Sequence, residues 1–274
     1  MLSVNTNVGA MVALQYLNKT ITDLQTTQSH INSGLKISSP KDNGAVYAIA
    51  QNMRGNVAGY AAVSDSLNRG SSTVDVAISA GQSISDLLNE LKTKALAAAD
   101  ASLDTASRKA MNADFTALRD QITTIVQNAS FNGVNLVDGT TANIQALASS
   151  DGTKKITVSG QTMKLSGTVV TLTSTGTIST TAKASTMIGT LNTSIQNVNA
   201  ALAKLASGVK KFGIQSDFVT KLVDTLNAGI GNLVDADMAV ESAKLQSLQV
   251  KQQLGVQALA IANAAPSIAL SLFR

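Results

Sequence analysis

One histidine, no cysteine and no tryptophan in 274 residues leave little with which to make or break bonds. The missing thiols remove disulfides, thiolate nucleophiles and sulfur-ligated zinc together. His30 has no second His or Cys to join it, which removes most imidazole acid–base and metal chemistry. His30 therefore reads as a structural residue on the polar side of a helix. Asp235 and Asp237 are the nearest approach to a cation site. Two carboxylates without a glycine-turned loop fall short of calcium-loop spacing, and their place ahead of an apolar-periodic run suits a helix cap. Gly229-Ile230-Gly231 lacks the third glycine and the preceding strand of a dinucleotide turn. Gly-x-Ser-x-Gly, Walker-type and His-Glu-x-x-His patterns do not occur. No catalytic residue, metal ligand or cofactor is assigned, and an enzyme is not expected.

Charge excludes two further classes. Lys and Arg number 21 against 17 Asp and Glu, and the longest basic runs are Lys154-Lys155 and Lys210-Lys211. With aromatics at 3%, neither a clustered basic footprint nor stacking rings are available, so no nucleic-acid partner is expected. No apolar run reaches the ~18 residues of a membrane span, so no membrane insertion is expected. The opening Met1-Leu2-Ser3-Val4-Asn5-Thr6-Asn7 lacks the basic and apolar regions of a secretory signal, and any exit from the cell is expected by another route.

The elements that carry these residues are helices. Pro40 and Pro266 are the only prolines, so residues 41–265 hold no helix-breaking ring. Val4, Val8, Met11, Leu14, Leu17, Ile21, Leu24, Ile31 and Leu35 step by threes, fours and sevens, predicting an amphipathic helix of about 30 residues, roughly 45 Å long. The rhythm returns from Val63 to Ala98 and from Met111 to Ala129. It is cleanest in Ala184, Ile188, Leu191, Ile195, Val198, Leu202, Leu205, Val209 and Phe212, a coiled-coil pattern over four heptads. A last helical segment runs through Val219, Leu248, Leu254 and Leu259, where Gly229, Gly231 and Gly255 are potential bends.

Between Thr140 and Thr186 the helical period stops, and Thr and Ser make up 20 of 47 residues. Residues 155–159 and 168–173 alternate like strands between glycines and predict hairpins. The expected fold is mainly α. It is an elongated hairpin rod of long coiled-coil-like helices, with both termini at one end and a small Thr-rich β insertion at or near the other.

The two ends share one property. Residues 1–40 carry only Lys19, Asp23 and Lys36 as charged groups, and residues 245–274 only Lys251 and Arg274. A solvated helix ordinarily has a charged outer face. A helix surrounded by copies of itself must avoid both like-charge repulsion and buried ions. The ends therefore look built to be surrounded.

At this point the motifs carry a resemblance. Asn5-Thr6-Asn7 and Ile31-Asn32-Ser33-Gly34-Leu35-Lys36-Ile37-Ser38-Ser39-Pro40-Lys41-Asp42 at the start, Ser130-Phe131-Asn132-Gly133-Val134-Asn135-Leu136 in the middle, and Asp235-Ala236-Asp237-Met238-Ala239-Val240-Glu241, Gln252-Gln253-Leu254-Gly255 and Leu270-Ser271-Leu272-Phe273-Arg274 at the end resemble those of bacterial flagellin, the self-assembling subunit of the flagellar filament. The resemblance covers roughly residues 1–139 and 187–274.

It implies a division into an amino-terminal inner-tube helix and linker (1–43), two halves of a helical rod (44–139 and 187–232), a small variable β or outer region (140–186) and a carboxy-terminal inner-tube helix (233–274). Self-assembly would rest on Val4, Val8, Met11, Leu14, Leu17, Ile21, Leu24, Ile31, Leu248, Leu254, Leu259, Leu270, Leu272 and Phe273. The partners implied are identical copies in a helical homopolymer, the flagellar export apparatus with a dedicated export chaperone, and the filament cap and junction proteins. The place implied is the secreted, extracellular filament, reached unfolded by type III export.

Where many relatives read Leu-Gln-Arg-Val-Arg-Glu-Leu-Ala, this chain has Leu88-Asn89 followed by Glu90, Leu91, Lys92, Thr93 and Lys94. The pattern read by Toll-like receptor 5 is thereby altered, and weak or absent activation is expected. Some members of the family are O-glycosylated on the outer region; Thr168, Thr171, Thr173, Ser174, Thr175, Thr177, Ser179, Thr180 and Thr181 are the candidate acceptors here. Two other functions compete: a hook–filament junction protein, which shares such ends but caps the polymer, and a secreted adhesion module using the Thr-rich face.

Overall fold

A computed structural model of the chain describes residues 6–271, with side chains described through Ala264. Five helices dominate it: α1 (Val8–Ser33), α2 (Gly44–Ala98), α3 (Thr105–Asn128), α4 (Thr181–Val234) and α5 (Met238–Ser271). Four short strands, β1 (Ser130–Phe131), β2 (Val134–Asn135), β3 (Asn143–Leu147) and β4 (Lys155–Ser159), form two antiparallel hairpins between α3 and α4. The chain divides into two compact units, residues 1–55 with 225–274 and residues 56–224.

The larger unit is organised by the heptad pattern. On α4 the fully covered positions Ala184, Leu191, Val198, Leu205, Phe212 and Val219 fall seven apart, and Ile188, Ile195, Leu202 and Val209 flank them half-buried. On α2 the covered positions are Val63, Leu67, Val74, Ala77, Ile84, Leu88, Leu91, Ala95 and Ala98, and on α3 they are Phe115, Ile122 and Val126. These stripes share one core. A 3.5-residue period keeps such a seam facing its partner over many turns, and each fully buried Leu, Ile or Phe contributes about 1.5–3 kcal/mol.

Buried arginines secure the ends of the shorter segments. Arg108 donates through Nε to the carbonyl of Ala98 at 2.9 Å, and through Nη2 to those of Asp100 at 2.8 Å and Leu103 at 3.1 Å. A cation thus meets the last carbonyl of α2, where the helix dipole is negative, and two carbonyls of the loop that follows. Arg119 donates to the Gly176 carbonyl at 2.8 Å and pairs with Asp120. Asp104 caps α3 by accepting from the Ser107 amide.

The first hairpin explains the Phe-Asn-Gly motif physically. Asn132 at φ 49° and Gly133 at φ 78° are its two turn residues, the left-handed pair that a two-residue hairpin requires. In the second hairpin Asn143 pairs with Ser159 and Leu147 with Lys155. The amide of Leu147 donates to Ser66 Oγ on α2 at 3.0 Å, and Gln215 Nε2 on α4 donates to the Ala148 carbonyl at 3.0 Å. A Cβ at Gly208 would lie 2.6 Å from Val158 Cγ1, so a glycine on α4 lets β4 sit directly on the helix.

The strand expected at residues 168–173 is not formed, and α4 begins at Thr181 rather than near 187. Val169, Val170 and Leu172 alternate like a strand but are buried against the helices. Their backbone bonds locally instead: Ser166 N donates to Leu172 O, Gly167 N to Val170 O, and Thr171 N to the Ser194 hydroxyl on α4 at 3.1 Å. The β content between residues 140 and 186 is therefore one hairpin, followed by an irregular segment packed into the core.

In the smaller unit α1 has 26 residues, about 39 Å at 1.5 Å per residue. Asn7 caps it by accepting from the Ala10 amide, and Gly34 ends it at φ 70° with its N–H on the His30 carbonyl. The segments after α1 and after α4 then cross: Lys36 N donates to Val234 O at 2.7 Å and Ala236 N to Gly34 O at 2.9 Å. Asp237 caps α5 by accepting from the amides of Ala239 and Val240. The glycines expected as bends interrupt nothing, since α4 runs through Gly229 and Gly231 and α5 through Gly255.

Candidate functional site

The long axis of the smaller unit is the α1–α5 pair, held together at three levels. Asn7 Nδ2 donates to the Ala262 carbonyl at 2.7 Å near one end. In the middle Leu17, 9% exposed, lies against Gly255, where a Cβ would come within 3.2 Å of its Cδ1. Near the other end His30 Nδ1–H donates to Glu241 Oε1 at 3.2 Å, with both side chains 13% exposed. His30 occupies the last turn of α1 and Glu241 the first turn of α5. Lys244 Nζ approaches the other Glu241 oxygen at 3.9 Å. Thr27, fully buried on α1, leaves its hydroxyl without a hydrogen bond.

What these ties leave uncovered is apolar. Val8, Met11, Val12, Leu14 and Tyr16 on α1 and Val250, Leu254, Val256 and Ile261 on α5 are all exposed, as are Met238 and Val240 at the start of α5. Between the helices a groove of about 440 Å³ is lined by Tyr16, Leu17, Lys19, Asp23, Leu248 and Lys251 among others. A monomer's solvent-facing helix face with this composition is an interaction surface.

The residues assigned to self-assembly from sequence thus separate. Val8, Met11, Leu14 and Leu254 are exposed, whereas Ile21, Leu24, Ile31 and Leu259 are half-buried. Leu17 and Leu248 are buried within the subunit. Val4, Leu272 and Phe273 lie outside the described residues, as does the side chain of Leu270. Val12, Tyr16, Val250, Val256 and Ile261, which the sequence pattern did not single out, are exposed as well; their signal is an apolar residue where an outer helix face ordinarily carries charge.

The stretch that the resemblance reads as an altered receptor motif lies on α2. Leu91 is fully buried in the seam and Glu90 and Thr93 are exposed. Lys92 and Lys94 are half-buried, and Lys94 Nζ donates to Asp114 Oδ2 on α3 at 2.9 Å, a bond that raises the lysine's pKa. Of the candidate glycosylation acceptors, Thr168, Thr173, Ser174, Thr175, Ser179 and Thr180 are exposed, while Thr171, Thr177 and Thr181 are half-buried. The Thr171 hydroxyl bonds Ser194 Oγ at 2.9 Å and is occupied structurally.

Among the described residues no group of three His, Cys, Asp or Glu is placed to hold a metal ion, and no helix is long and apolar enough to cross a membrane.

Comparison with known proteins gives these surfaces their context. The chain matches the bacterial flagellin N-terminal helical region over residues 4–142 and the bacterial flagellin C-terminal helical region over residues 186–273. It is 54% identical to flagellin FljK of Caulobacter vibrioides over 272 residues, 99% of this chain and 98% of that one. It is 37% identical to a flagellin of Brucella melitensis over 283 residues, covering all of both chains. A solved hook-associated protein from Vibrio parahaemolyticus shares the fold at a TM-score of 0.59 and 13% identity, over 71% of this chain and 100% of that one. The chain belongs to the bacterial flagellin family and is a structural subunit of the extracellular flagellar filament, not an enzyme.

Proposed function

We propose that the subunit polymerises by burying the exposed apolar faces of α1 and α5 against the same faces of neighbouring copies. The observation that carries this is the run Val8, Met11, Val12, Leu14 and Tyr16 facing water on a helix with only Lys19 and Asp23 as charged groups. Lateral contact with identical copies is the arrangement in which low charge is an advantage, because identical surfaces bring like charges together. Residues 1–43 and 233–274 then form the inner tube, 44–139 with 187–232 the rod, and 140–186 the outermost region. The same reading includes export of the unfolded chain through the flagellar export apparatus with a dedicated chaperone, and contact with cap and junction proteins at the filament ends. The absence of cysteine supports it, since a thiol-free chain crosses redox compartments without cross-linking.

The test is electron microscopy of the purified chain after addition of short filament seeds in a precipitant, beside a variant lacking residues 245–274. Long uniform filaments from the intact chain alone are expected. An intact chain that caps the seeds without extending them would make it a junction protein. O-glycosylation of the exposed hydroxyls between Thr168 and Thr180 belongs to the same proposal, and an intact mass of native filament protein equal to the sequence mass removes it.

A further inference from the structure

The larger unit keeps its two signs of charge apart along the chain. Residues 56–138 carry nine Asp and Glu against six Lys and Arg, whereas residues 139–216 carry seven Lys and one Asp. That one acid, Asp151, stands in the turn of the second hairpin and accepts from Ser149 and Thr153. Among the described residues none of the seven lysines makes an ion pair within the subunit. Two of them, Lys204 and Lys211, are seven residues apart on α4, hence on one face and about 10.5 Å apart along its axis. With Thr157, Ser159, Gln161 and Ser207 they line a groove of about 280 Å³ between β4 and α4.

The strand wall of this groove is a sheet edge. β4 pairs with β3 alone. The Ala148 amide donates to the Lys154 carbonyl and the Gly160 amide to that of Ala142, so the even-numbered residues of β4 turn their backbone groups toward β3. By the alternation of an antiparallel ladder, the amides of Lys155, Thr157 and Ser159 point the other way, along the groove. Among the described residues none of these three amides has an acceptor, and all three side chains are exposed. The helix wall leaves room beside them: Gly208 lets Val158 rest on the backbone of α4, and the small Ser207 stands between the two lysines.

A row of unpaired backbone donors beside two cations is a template for an extended acidic segment. The same edge of a second copy is a poor occupant, because pairing the two would set Lys155, Lys204 and Lys211 against themselves. We propose that β4 receives an added strand from an acidic peptide segment of another protein, with carboxylates at positions i and i+4 meeting Lys204 and Lys211 and a small residue at i+2 over Ser207. Alternate residues of a strand share a face, so all three turn toward α4. They span about 13 Å, which the lysine stems reconcile with the helix spacing. Backbone bonds along β4 supply affinity, and the ion pairs select for acid. The site lies wholly within one subunit and does not depend on how copies assemble.

The probe is the end-blocked peptide Thr-Glu-Thr-Ala-Thr-Glu-Thr, titrated into the purified, unassembled chain beside its counterpart with Lys for Glu. Saturable binding with a Kd of roughly 0.1–1 mM is expected for the acidic peptide only, with hydrogen exchange slowed at the amides of Lys155, Thr157 and Ser159. A Lys204→Gln, Lys211→Gln double variant should weaken it roughly fivefold or more. Thr157→Pro should abolish it with the melting curve in place, since proline removes an amide that β3 does not use. N-methylation of the peptide at its third and fifth residues, whose amides would face β4, tests the same bonds without altering the chain and should also abolish binding. Absence of saturable binding, protection confined to other segments, or a methylated peptide that binds as well as the parent overturns the inference. Hyaluronan is the control polyanion: if it displaces the peptide and binds the Thr157→Pro chain as tightly as the unsubstituted one, the groove reads charge and not strand, and the inference is likewise overturned.

Discussion

Leu248 and Leu254 are six residues apart on the same helix, and truncating each to alanine separates folding from assembly. Leu254 is 58% exposed in the subunit. Full burial of a leucine side chain contributes about 1.5–3 kcal/mol, so the part still in water holds roughly 1–1.5 kcal/mol for a neighbour to recover. Leu254→Ala should raise the critical concentration for seeded growth by roughly five- to thirteenfold while leaving the subunit's helical melting curve in place. Leu248 is 6% exposed and has little left to give a neighbour. Leu248→Ala should instead lower the stability of the α1–α5 pair by about 2–5 kcal/mol, with loss of helix signal before any assembly is measured. The assays are pelleting at a series of protein concentrations for the first quantity and circular dichroism on heating for the second. A Leu254→Ala chain that polymerises within about twofold of the unsubstituted critical concentration would refute burial of that face in the polymer.

Four further outcomes are expected. Gly208→Val places a Cβ 2.6 Å from Val158 Cγ1, so the second hairpin should lift and trypsin should cut faster after Lys154 or Lys155, whereas Gly189→Ala, with open space around it, should not change the cleavage rate. Arg108→Ala leaves the carbonyls of Ala98, Asp100 and Leu103 without their cation and should cost about 2–4 kcal/mol in denaturant unfolding, with Arg108→Lys recovering only part. Bonds from Ser107 hold the Asp104 carboxyl, and the Ser39 and Ser38 amides the Asp42 carboxyl, below the ordinary value of 3.8. Their contribution is complete above that pH and is lost as pH falls through the lower folded-state values, so the acid limb of the melting temperature should flatten in an Asp42→Asn, Asp104→Asn variant; an unaltered limb contradicts it. Purified monomer should activate Toll-like receptor 5 reporter cells weakly or not at all, with Glu90→Arg and Lys94→Leu together raising the response; a response to the unsubstituted monomer at low concentration would count against the altered stretch.

The helices were legible because periodicity survives burial. The seven-residue spacing from Ala184 to Phe212 marks the same positions in sequence and in core. Periodicity is silent on where backbone bonds go, which is why residues 168–173 read as a strand: Val169, Val170 and Leu172 alternate, but the bonds of this segment return to itself and to Ser194. The resemblance started the rod at residue 44, but periodicity alone did not mark the start of α2 at Gly44, since Gly44, Gly55 and Gly59 dilute the helical signal and the buried seam begins in earnest at Val63. Arg108 and Arg119 carry no local signature, because what makes them structural is a carbonyl elsewhere in the chain. At the candidate site the apolar stripe was visible, but not its division. Leu14 and Leu17 are one turn apart, and only the position of α5 decides that Leu17 is covered and Leu14 is not.

That division has a consequence for a polymer of identical parts. A filament repeats one contact, so every copy must present its apolar face with the same register between α1 and α5. Hydrophobic packing alone specifies register weakly, since a slip of one turn exchanges one aliphatic side chain for another. The three ties along the pair, two polar and one a close glycine contact, do not tolerate such a slip. Asn7 to Ala262, Leu17 to Gly255 and His30 to Glu241 join residues that count down α5 as they count up α1, and one antiparallel register satisfies all three to within about a turn. A slip by a full turn would set Leu17 against Gln252 or Leu259 instead of the glycine, and would separate His30 from the carboxylate it bonds. On this argument Gly255→Leu should disturb assembly more than Leu254→Ala, because it shifts the register of the whole face instead of removing one contact. Its expected signature is filaments that are few, short or of altered symmetry from a subunit that retains its helix content, and normal filaments from Gly255→Leu would show that register is set elsewhere.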